Sequence, residues 1–273
     1  MVDGSQFRAW VQEKAIVDGL VQVYKPYGMP STALVEMYKC VTGLKVGHGG
    51  TLDPLAEGAL LLGIGAGTKL LTKYLASEKR YRAEILIGAS SFSGDLELPI
   101  ELSPSQVNFP DGRVEEILIE LSAGFTQELP ALNASKQNGK TAYSLIRDGK
   151  TAEKRFVETT LLEWKLIKEK VLSQKELEQL VLSKRELLQA SFKKFVEISN
   201  KVNYRAQKYE FLLTKWEQSL ATSAIIAQEA TERTYLLLEI EVLVPKGTYI
   251  RSLATDIAKR LNTTGCLVAL VRL

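Results

Sequence analysis

The stretch that decides the fold reads Thr234-Tyr-Leu-Leu-Leu-Glu-Ile-Glu-Val-Leu-Val244. Its apolar and β-branched residues predict a long strand. Pro245-Lys246-Gly247 then predicts a turn, and Thr248 an N-cap for a helix over residues 249–261. A last strand is predicted over residues 266–273. This end of the chain therefore predicts a strand, a helix and a strand in succession.

Upstream segments add elements of both kinds. Strands are predicted over residues 20–26, 59–65, 81–88 and 156–169. Helices are predicted over residues 68–75, 114–123 and 141–147. Another helix is predicted to begin with Ser31 or Thr32 as its N-cap and to end at Gly43. Strands and helices do not strictly alternate. The pattern therefore predicts an α+β fold with a mixed, largely antiparallel sheet and flanking helices.

Composition narrows the class of protein. The chain has 273 residues and a formal net charge of +3, which permits a nucleic-acid partner without requiring one. Cys40 and Cys266 have no Cys or His nearby at metal spacing, so we expect reduced thiols and no zinc site. No apolar run reaches the length of a membrane span, and residues 1–19 lack the apolar core of a signal peptide. We expect a cytoplasmic protein that does not enter a membrane.

Residues 172–231 differ from the rest of the chain. They contain no Gly or Pro and are rich in Leu, Lys, Glu and Gln. Apolar residues at helical spacing predict two or three helices inserted between strands, the second over about residues 207–228. Two interpretations stay open: a solvated helical excursion, or an arm that contacts RNA or a partner.

The segment most suggestive of chemistry reads Gly47-His48-Gly49-Gly50-Thr51-Leu52-Asp53-Pro54 and holds the one histidine of the sequence. Glycines permit backbone angles that other residues resist, and Pro54 biases Asp53 away from helical conformation. We therefore expect a carboxylate on a stiff turn. No P-loop or full dinucleotide-binding motif accompanies it.

Four segments in order resemble the TruB-type pseudouridine synthases, bacterial enzymes that modify uridine 55 in the TΨC loop of tRNA. The matching segments are residues 47–58 continuing to 65–69, Lys25-Pro26-Tyr27-Gly28, Lys79-Arg80-Tyr81, and residues 246–253 followed by Leu270 and Arg272. The resemblance covers about residues 20–170 and 234–273. Together the four motifs are far more specific than any one of them.

The resemblance implies a set of catalytic residues. Asp53 would be the nucleophile or, in a competing account, the group that drives glycal formation; both roles need an ionised carboxylate. Arg251 would pair with Asp53 through its planar guanidinium. Tyr81 would stack on the target base, a more secure role than proton removal because a neutral phenol is a poor base.

The resemblance also implies residues that bind RNA. His48 would fill the space that a flipped base leaves, Tyr249 would hydrogen-bond within the site, and Leu270 would form an apolar wall. Phosphate contacts are expected from four basic residues, which are Lys25, Lys69, Lys79 and Arg80. Residues 129–143, with Lys136 and Lys140, resemble the mobile RNA-gripping region of the family. No metal or organic cofactor is implied.

The chain also departs from the family pattern. Residues 129–136 lack the usual aromatic, and Asp95 lacks the Gly that usually follows it. We expect an N-terminal extension over residues 1–19 and a catalytic domain over 20–273, interrupted by the insertion at 172–231. The C-terminal RNA-binding module of relatives is expected to be absent.

The predicted function is isomerisation of uridine to pseudouridine in the TΨC stem-loop of tRNA. The protein is expected to act as a monomer, without guide RNA and without an obligatory protein partner. Two alternatives stay open. One is a guide-RNA-directed, dyskerin-type synthase, which shares the Asp53 motif. The other is a non-catalytic RNA-binding protein that helps tRNA fold.

Overall fold

The structure is a computed structural model that describes residues 19–103, 110–133, 135–137, 140–141, 145, 153–201 and 233–273. These residues form two compact units. The first unit takes residues 19–77, 183–201 and 270–273 of the described chain. The second unit takes the described residues of 78–182 and 233–269.

The elements of both units are as follows. The strands are β1 (Leu20–Lys25), β2 (Val46–His48), β3 (Ala56–Ile64), β4 (Lys79–Ile87), β5 (Ala89–Ser91), β6 (Ile100–Leu102), β7 (Phe125–Glu128), β8 (Lys136–Gln137), β9 (Lys140–Thr141), β10 (Phe156–Thr159), β11 (Glu163–Ser173), β12 (Thr234–Val244) and β13 (Gly265–Arg272). The α-helices are α1 (Ser31–Thr42), α2 (Leu71–Leu75), α3 (Arg113–Ser122), α4 (Gln174–Lys201) and α5 (Ile250–Arg260), and a 3-10 helix spans Gly65–Lys69.

Strand β3 is the centre of the first unit. It pairs antiparallel with β1 and β2, and its first residues pair in parallel with Leu270–Arg272 at the end of β13. Leu60, Leu62 and Ile64 alternate along β3 and are fully buried, as expected for one face of a strand that packs on a core. The 47–54 turn joins β2 to β3, so both of its ends are fixed by strand pairing.

Strand β4 holds a comparable place in the second unit. It lies between β13 and β12, and β11 lies on the far side of β12. The β4–β12 and β12–β11 pairs are antiparallel. Helix α5 buries Ile250, Leu253, Ala254 and Ile257, so one face of that helix packs in the core. The predicted α+β fold with a largely antiparallel sheet is confirmed.

Several predicted boundaries are confirmed and others are wrong. The strand predicted over residues 234–244 matches β12. The strand predicted over residues 156–169 is two strands, β10 and β11, and the Leu161 amide between them donates to the Leu121 carbonyl. The helix predicted over residues 141–147 falls mostly outside the described residues, and Thr141 itself lies in β9.

The insertion begins later than predicted. Strand β11 runs through Ser173, and α4 starts at Gln174. The Ser173 amide donates to the Glu176 carboxylate, and the Glu176 amide donates to the Ser173 hydroxyl. This reciprocal pair is a capping box, which ends the strand and starts the helix. The second helical stretch, at about residues 207–228, lies outside the described residues.

Two predicted N-caps are also wrong. Pro30 precedes α1 and Tyr249 precedes α5, and neither side chain caps its helix. Ser31 is already helical, and the Thr248 hydroxyl donates to the Pro245 carbonyl instead. Gly43 does end α1 as predicted, and the structure gives it the left-handed conformation common at helix ends.

Both cysteines are free thiols, with Cys40 exposed and Cys266 buried. Among the described residues, no helix has the length and hydropathy needed to cross a bilayer.

Candidate active site

The turn that carries Asp53 depends on one left-handed residue. Gly50 has φ of +126°, which a residue with a side chain rarely adopts. At Gly47 and Gly49 the constraint is space, because a side chain would crowd a neighbouring leucine. A Cβ would lie 3.1 Å from the Leu71 Cδ1 atom at Gly47 and 3.2 Å from the Leu61 Cβ atom at Gly49. The sequence interpretation that all three glycines supply unusual angles is therefore right for Gly50 only.

Helix α1 holds the residue before Asp53. The Ser31 hydroxyl donates to the Leu52 carbonyl at 2.7 Å and accepts from the Leu52 amide at 2.8 Å. Ser31 and Leu52 are each 2% exposed. Ser31 was predicted to cap a helix, whereas the structure uses its hydroxyl to fix both polar groups of Leu52.

Arg272 holds the first half of the turn. Its guanidinium donates to the Gly50 carbonyl at 3.2 Å and to the Thr51 carbonyl at 2.9 Å. The sequence marked Arg272 as part of a motif but gave it no role. Since a planar guanidinium presents donors in a fixed fork, two adjacent carbonyls are held in one defined orientation.

Lys25 holds the second half of the turn. Its side chain is fully buried, and Nζ donates to the carbonyls of Pro26, Met29 and Pro54. Three carbonyl partners compensate for burial of the ammonium group. The prediction that Lys25 contacts phosphate is therefore wrong, because the cation is enclosed within the first unit.

Asp53 lies between these two anchored stretches. Its side chain is half-buried, and its carbonyl accepts from the Ala56 amide at 3.1 Å, which starts β3. The predicted carboxylate on a stiff turn is confirmed. A carboxylate held in this way can act on a substrate with little loss of freedom on binding.

His48 closes β2 and pairs across the strands with Leu62. Burial lowers the pKa of its imidazole, and the positive charge of Arg272 lowers it further. Its Nδ1 atom is buried and has no hydrogen-bond partner within the described part of the chain. A neutral ring whose Nδ1 atom makes no hydrogen bond suits stacking better than proton transfer.

Two other predicted residues belong to the first unit. Leu270 is 7% exposed and pairs with Ala56 at the start of β3, three residues beyond Asp53. Lys69 is exposed at the end of the 3-10 helix. Within the first unit, Leu270 lies at the start of β3, close in sequence to Asp53, whereas His48 lies opposite Leu62 near the other end of that strand.

In the second unit, the buried guanidinium of Arg251 is surrounded by oxygen atoms. It donates to the carbonyls of Ser93 at 2.7 Å and Leu132 at 2.8 Å. Its Nε atom lies 3.7 Å from a carboxylate oxygen of Asp95, and both side chains are almost fully buried. Asp95 was noted in the sequence only as a departure from the family pattern.

Hydrogen bonds within the loop around Asp95 hold its carboxylate in position. The Asp95 carboxylate accepts from the Ser93 hydroxyl at 2.7 Å and from the Glu97 amide at 3.0 Å. Asp95 also forms a parallel bridge with Leu267 of β13. These donors and the nearby guanidinium of Arg251 compensate for burial of the Asp95 carboxylate.

Tyr249 and Tyr81 are held by backbone contacts. The Tyr249 amide donates to the side-chain carbonyl of Gln127 at 2.8 Å, and Gln127 is fully buried. Tyr81 is 8% exposed in β4, opposite Val242 of β12. Gln127 was not found from the sequence, where nothing distinguishes it from a surface glutamine.

Lys79 and Arg80 begin β4, and the phosphate contact of Lys79 stays a prediction. Arg80 forms ion pairs with Glu163 and with Glu241, the latter at 3.2 Å. Two carboxylates already neutralise this guanidinium. A phosphate would have to compete with these two carboxylates for Arg80, whose phosphate contact stays a prediction.

The segment that resembles an RNA-gripping region is described in part. Lys136 and Lys140 lie in the paired strands β8 and β9. The Asn133 side chain donates to the Pro130 carbonyl and accepts from the Ser135 amide, which forms a tight turn. The Leu132 carbonyl, as noted, accepts from Arg251.

A cavity of about 190 Å³ lies beside this segment in the second unit. Its lining includes Glu128, Arg251, Asp256 and Lys259. Burial raises the pKa of Asp256, although a hydrogen bond from Gln127 opposes the shift. The volume is below the roughly 300–1,000 Å³ of ordinary ligand pockets. Elsewhere too, the described residues contain no cluster of His, Cys, Asp or Glu suited to a metal ion.

Comparison with known proteins identifies a family. The sequence pattern of the TruB family pseudouridylate synthase (N terminal domain) matches residues 37–182, more than half of the chain. A crystal structure of a Cbf5–Nop10–Gar1 complex superposes with a TM-score of 0.51 at 17% identity, over 100% of this chain and 52% of that one. At such low identity the superposition supports the fold alone.

Curated relatives agree with the family match. The tRNA pseudouridine synthase B of Lacticaseibacillus paracasei is 28% identical over 258 residues, which cover 94% of this chain and 67% of the relative. The tRNA pseudouridine synthase 4 of Saccharomyces cerevisiae is 32% identical over 249 residues, covering 85% of this chain and 61% of the relative. The chain thus spans about two thirds of the length of these relatives.

Proposed function

This chain belongs to the TruB family of pseudouridylate synthases, and from that premise we propose that it isomerises uridine to pseudouridine in tRNA, at position 55 of the TΨC loop. One observation carries the proposal beyond family membership. The turn bearing Asp53 is fixed by Ser31, Lys25 and Arg272 through backbone groups alone. These three side chains therefore fix the backbone on both sides of Asp53, which positions its carboxylate.

The reaction assigns each predicted residue a task. The target uridine is everted from its stack so that its ribose reaches Asp53. Asp53 attacks C1′, or promotes elimination to a glycal, as the bond from N1 to C1′ breaks. The detached uracil anion turns and its C5 attacks C1′, either displacing the Asp53 carboxylate or adding to the glycal as C2′ regains its proton. C5 then loses its proton to solvent and N1 takes one up. Tyr81 stacks on the base, and the pairing of Arg251 with Asp53 stays a prediction.

The remaining residues bind and orient the RNA. The neutral ring of His48 fills the space left by the everted base, Leu270 supplies an apolar wall and Tyr249 supplies a hydrogen bond. Lys69 and Lys79 contact phosphates. The reaction draws on side chains of this protein and needs no cofactor.

The proposal is tested by tritium release from a tRNA transcript labelled at C5 of its uridines. Wild-type protein should release tritium and Asp53→Asn should not, whereas Asp111→Asn, an exposed carboxylate in the second unit, should behave as wild type. A transcript with cytidine at position 55 should release none. Release by Asp53→Asn would contradict the assignment of Asp53, and release from the cytidine transcript would contradict the position.

The same assay separates the alternatives. A guide-RNA-directed enzyme would be inactive on a tRNA transcript until guide RNA is added. A non-catalytic RNA-binding protein would bind the transcript without releasing tritium. The monomeric state, the absence of an obligatory protein partner and the cytoplasmic location stay predictions, and light scattering of the purified protein tests the first of them.

A further inference from the structure

Helix α4 packs against the turn formed by residues 25–29, within the first unit. Gly28 has φ of +79°, and a Cβ there would lie 2.7 Å from the Ser191 Cβ atom and 3.2 Å from the Leu188 carbonyl. The Tyr27 hydroxyl donates to the Lys184 carbonyl at 3.3 Å. The turn and the helix therefore meet at backbone distance, which only a glycine at position 28 allows.

The same turn is tied to the residue after Asp53. The Gly28 amide donates to the Pro54 carbonyl at 2.9 Å, and Lys25 Nζ donates to the same carbonyl at 3.3 Å. One carbonyl thus receives two donors from the 25–29 turn. A displacement of that turn would move Pro54, and Asp53 with it.

Helix α4 is itself firmly seated in this region. Leu188, Phe192 and Phe195 are at most 3% exposed, and the two phenylalanine rings meet edge to face with centroids 5.7 Å apart. Leu187, Ala190 and Lys193 are exposed on the remaining surface of the helix. The buried face therefore makes this part of α4 a component of the core.

We propose that α4 is a positioning element for Asp53: its segment from Lys184 to Phe192 holds the 25–29 turn, which holds Pro54 in place. The inference rests on the proposed function for its catalytic consequence, and on contacts within the first unit for its structural part. It assigns the inserted helix to the geometry of the reaction, in place of the solvated excursion or RNA-contacting arm that the sequence left open. The residues involved act through the Asp53 turn and do not touch the substrate.

The test compares two neighbouring small residues on α4. Ser191→Leu places bulk against Gly28, whereas Ala190→Leu adds the same side chain on the exposed side. We expect Ser191→Leu to lower kcat for tritium release by about ten- to one-hundredfold, because small misplacements of a catalytic group have effects of this size. KM and the Kd for tRNA should stay within about twofold of wild type, and Ala190→Leu should match wild type in all three quantities.

Tyr27→Phe tests the proposal without adding bulk. It removes the hydroxyl that donates to the Lys184 carbonyl, and because it adds no bulk the fold should persist even if Ser191→Leu does not fold. A several-fold fall in kcat with unchanged tRNA binding is expected. Normal kcat with weakened tRNA binding in either variant would overturn the proposal in favour of an RNA contact.

Amide hydrogen exchange provides a measurement that does not depend on activity. Because the Gly28 amide is bonded to Pro54, Ser191→Leu and Tyr27→Phe should speed exchange at Gly28, whereas Ala190→Leu should not. Unchanged exchange at Gly28 would show that α4 does not hold the turn and would overturn the proposal. Faster exchange in a protein whose wild type releases no tritium would refute the proposed function while leaving the structural coupling in place.

Discussion

The hydroxyl of Ser31 donates to the carbonyl of Leu52 and accepts from the amide of the same residue. One side chain at the start of α1 thus satisfies both polar groups of the residue before Asp53. The two peptide groups that flank Leu52 are each held by one of these hydrogen bonds. The precision of the Asp53 turn therefore depends on a residue outside its motif.

Ser31→Ala should destabilise the protein by about 1–3 kcal/mol, because it leaves two buried backbone groups of Leu52 without partners. The kcat for tritium release should fall as well, because the Leu52 peptide can then rotate. Urea unfolding and the release assay measure the two effects. Thr32→Ala, at the exposed next residue, should change stability by no more than about 0.5 kcal/mol. Equal stability of the two variants would contradict this account.

Asp95→Asn should destabilise the second unit. The substitution keeps the shape of the side chain but removes the charge that faces the buried guanidinium of Arg251. Loss of one partner from a buried ion pair costs about 3–5 kcal/mol, and the Ser93 and Leu132 carbonyls should reduce this to about 2–4 kcal/mol. Urea unfolding measures the change, with Glu101→Gln as an exposed control. A loss no larger than that of the control would show that Asp95 does not stabilise Arg251.

Lys25 and Lys69 should respond differently to salt. Lys25→Met removes three buried hydrogen bonds, so stability and kcat should fall while the salt dependence of tRNA binding stays the same. Lys69→Met should leave stability unchanged and reduce the slope of log Kd against log salt by about one. Binding measured over a range of potassium chloride concentrations provides the comparison. A reduced slope for Lys25→Met would restore the phosphate role that its burial argues against.

His48 should make stability depend on pH in the acidic range. Burial and Arg272 lower its pKa below the ordinary value of 6.5, so folding favours the neutral ring. The stability this contributes is present above pH 6.5 and is lost as the pH falls through the pKa of the folded state. His48→Gln, which cannot be protonated, should lose less in Tm than wild type between pH 7.5 and pH 5. Identical losses in Tm for the two proteins would show that folding does not disfavour the protonated imidazole of His48.

The sequence predicted those features that depend on local patterns. Alternation and apolar runs located β12 and β1, and Gly43 marked the end of α1, because each of these signals acts over a few residues. The motif around Asp53 identified both the turn and the family. A turn with unusual backbone angles needs glycine and proline, and these residues are recognisable in the sequence. Position and residue type were sufficient in these cases.

The roles of Lys25, Arg80 and Asp95 could not be predicted because each depends on a partner distant in sequence. From the sequence, Lys25 would be expected to be a cation on the surface. Only the fold shows that three carbonyls surround it. For Arg80 too, only the fold shows that β11 and β12 bring two glutamates beside it. Sequence patterns report the kind of side chain, whereas burial and pairing are properties of the assembled chain.

The long sequence distance between Arg272 and the turn it holds has a consequence for the timing of assembly. Arg272 lies 221 residues after Thr51, whose carbonyl it binds. At about 5–20 residues per second, a ribosome takes on the order of ten to forty seconds to make the intervening chain. A nascent polypeptide can thus display the whole eight-residue motif while its shape is still unset. Until Arg272 has been made, the Gly50 and Thr51 carbonyls lack the donors that hold them in the folded protein.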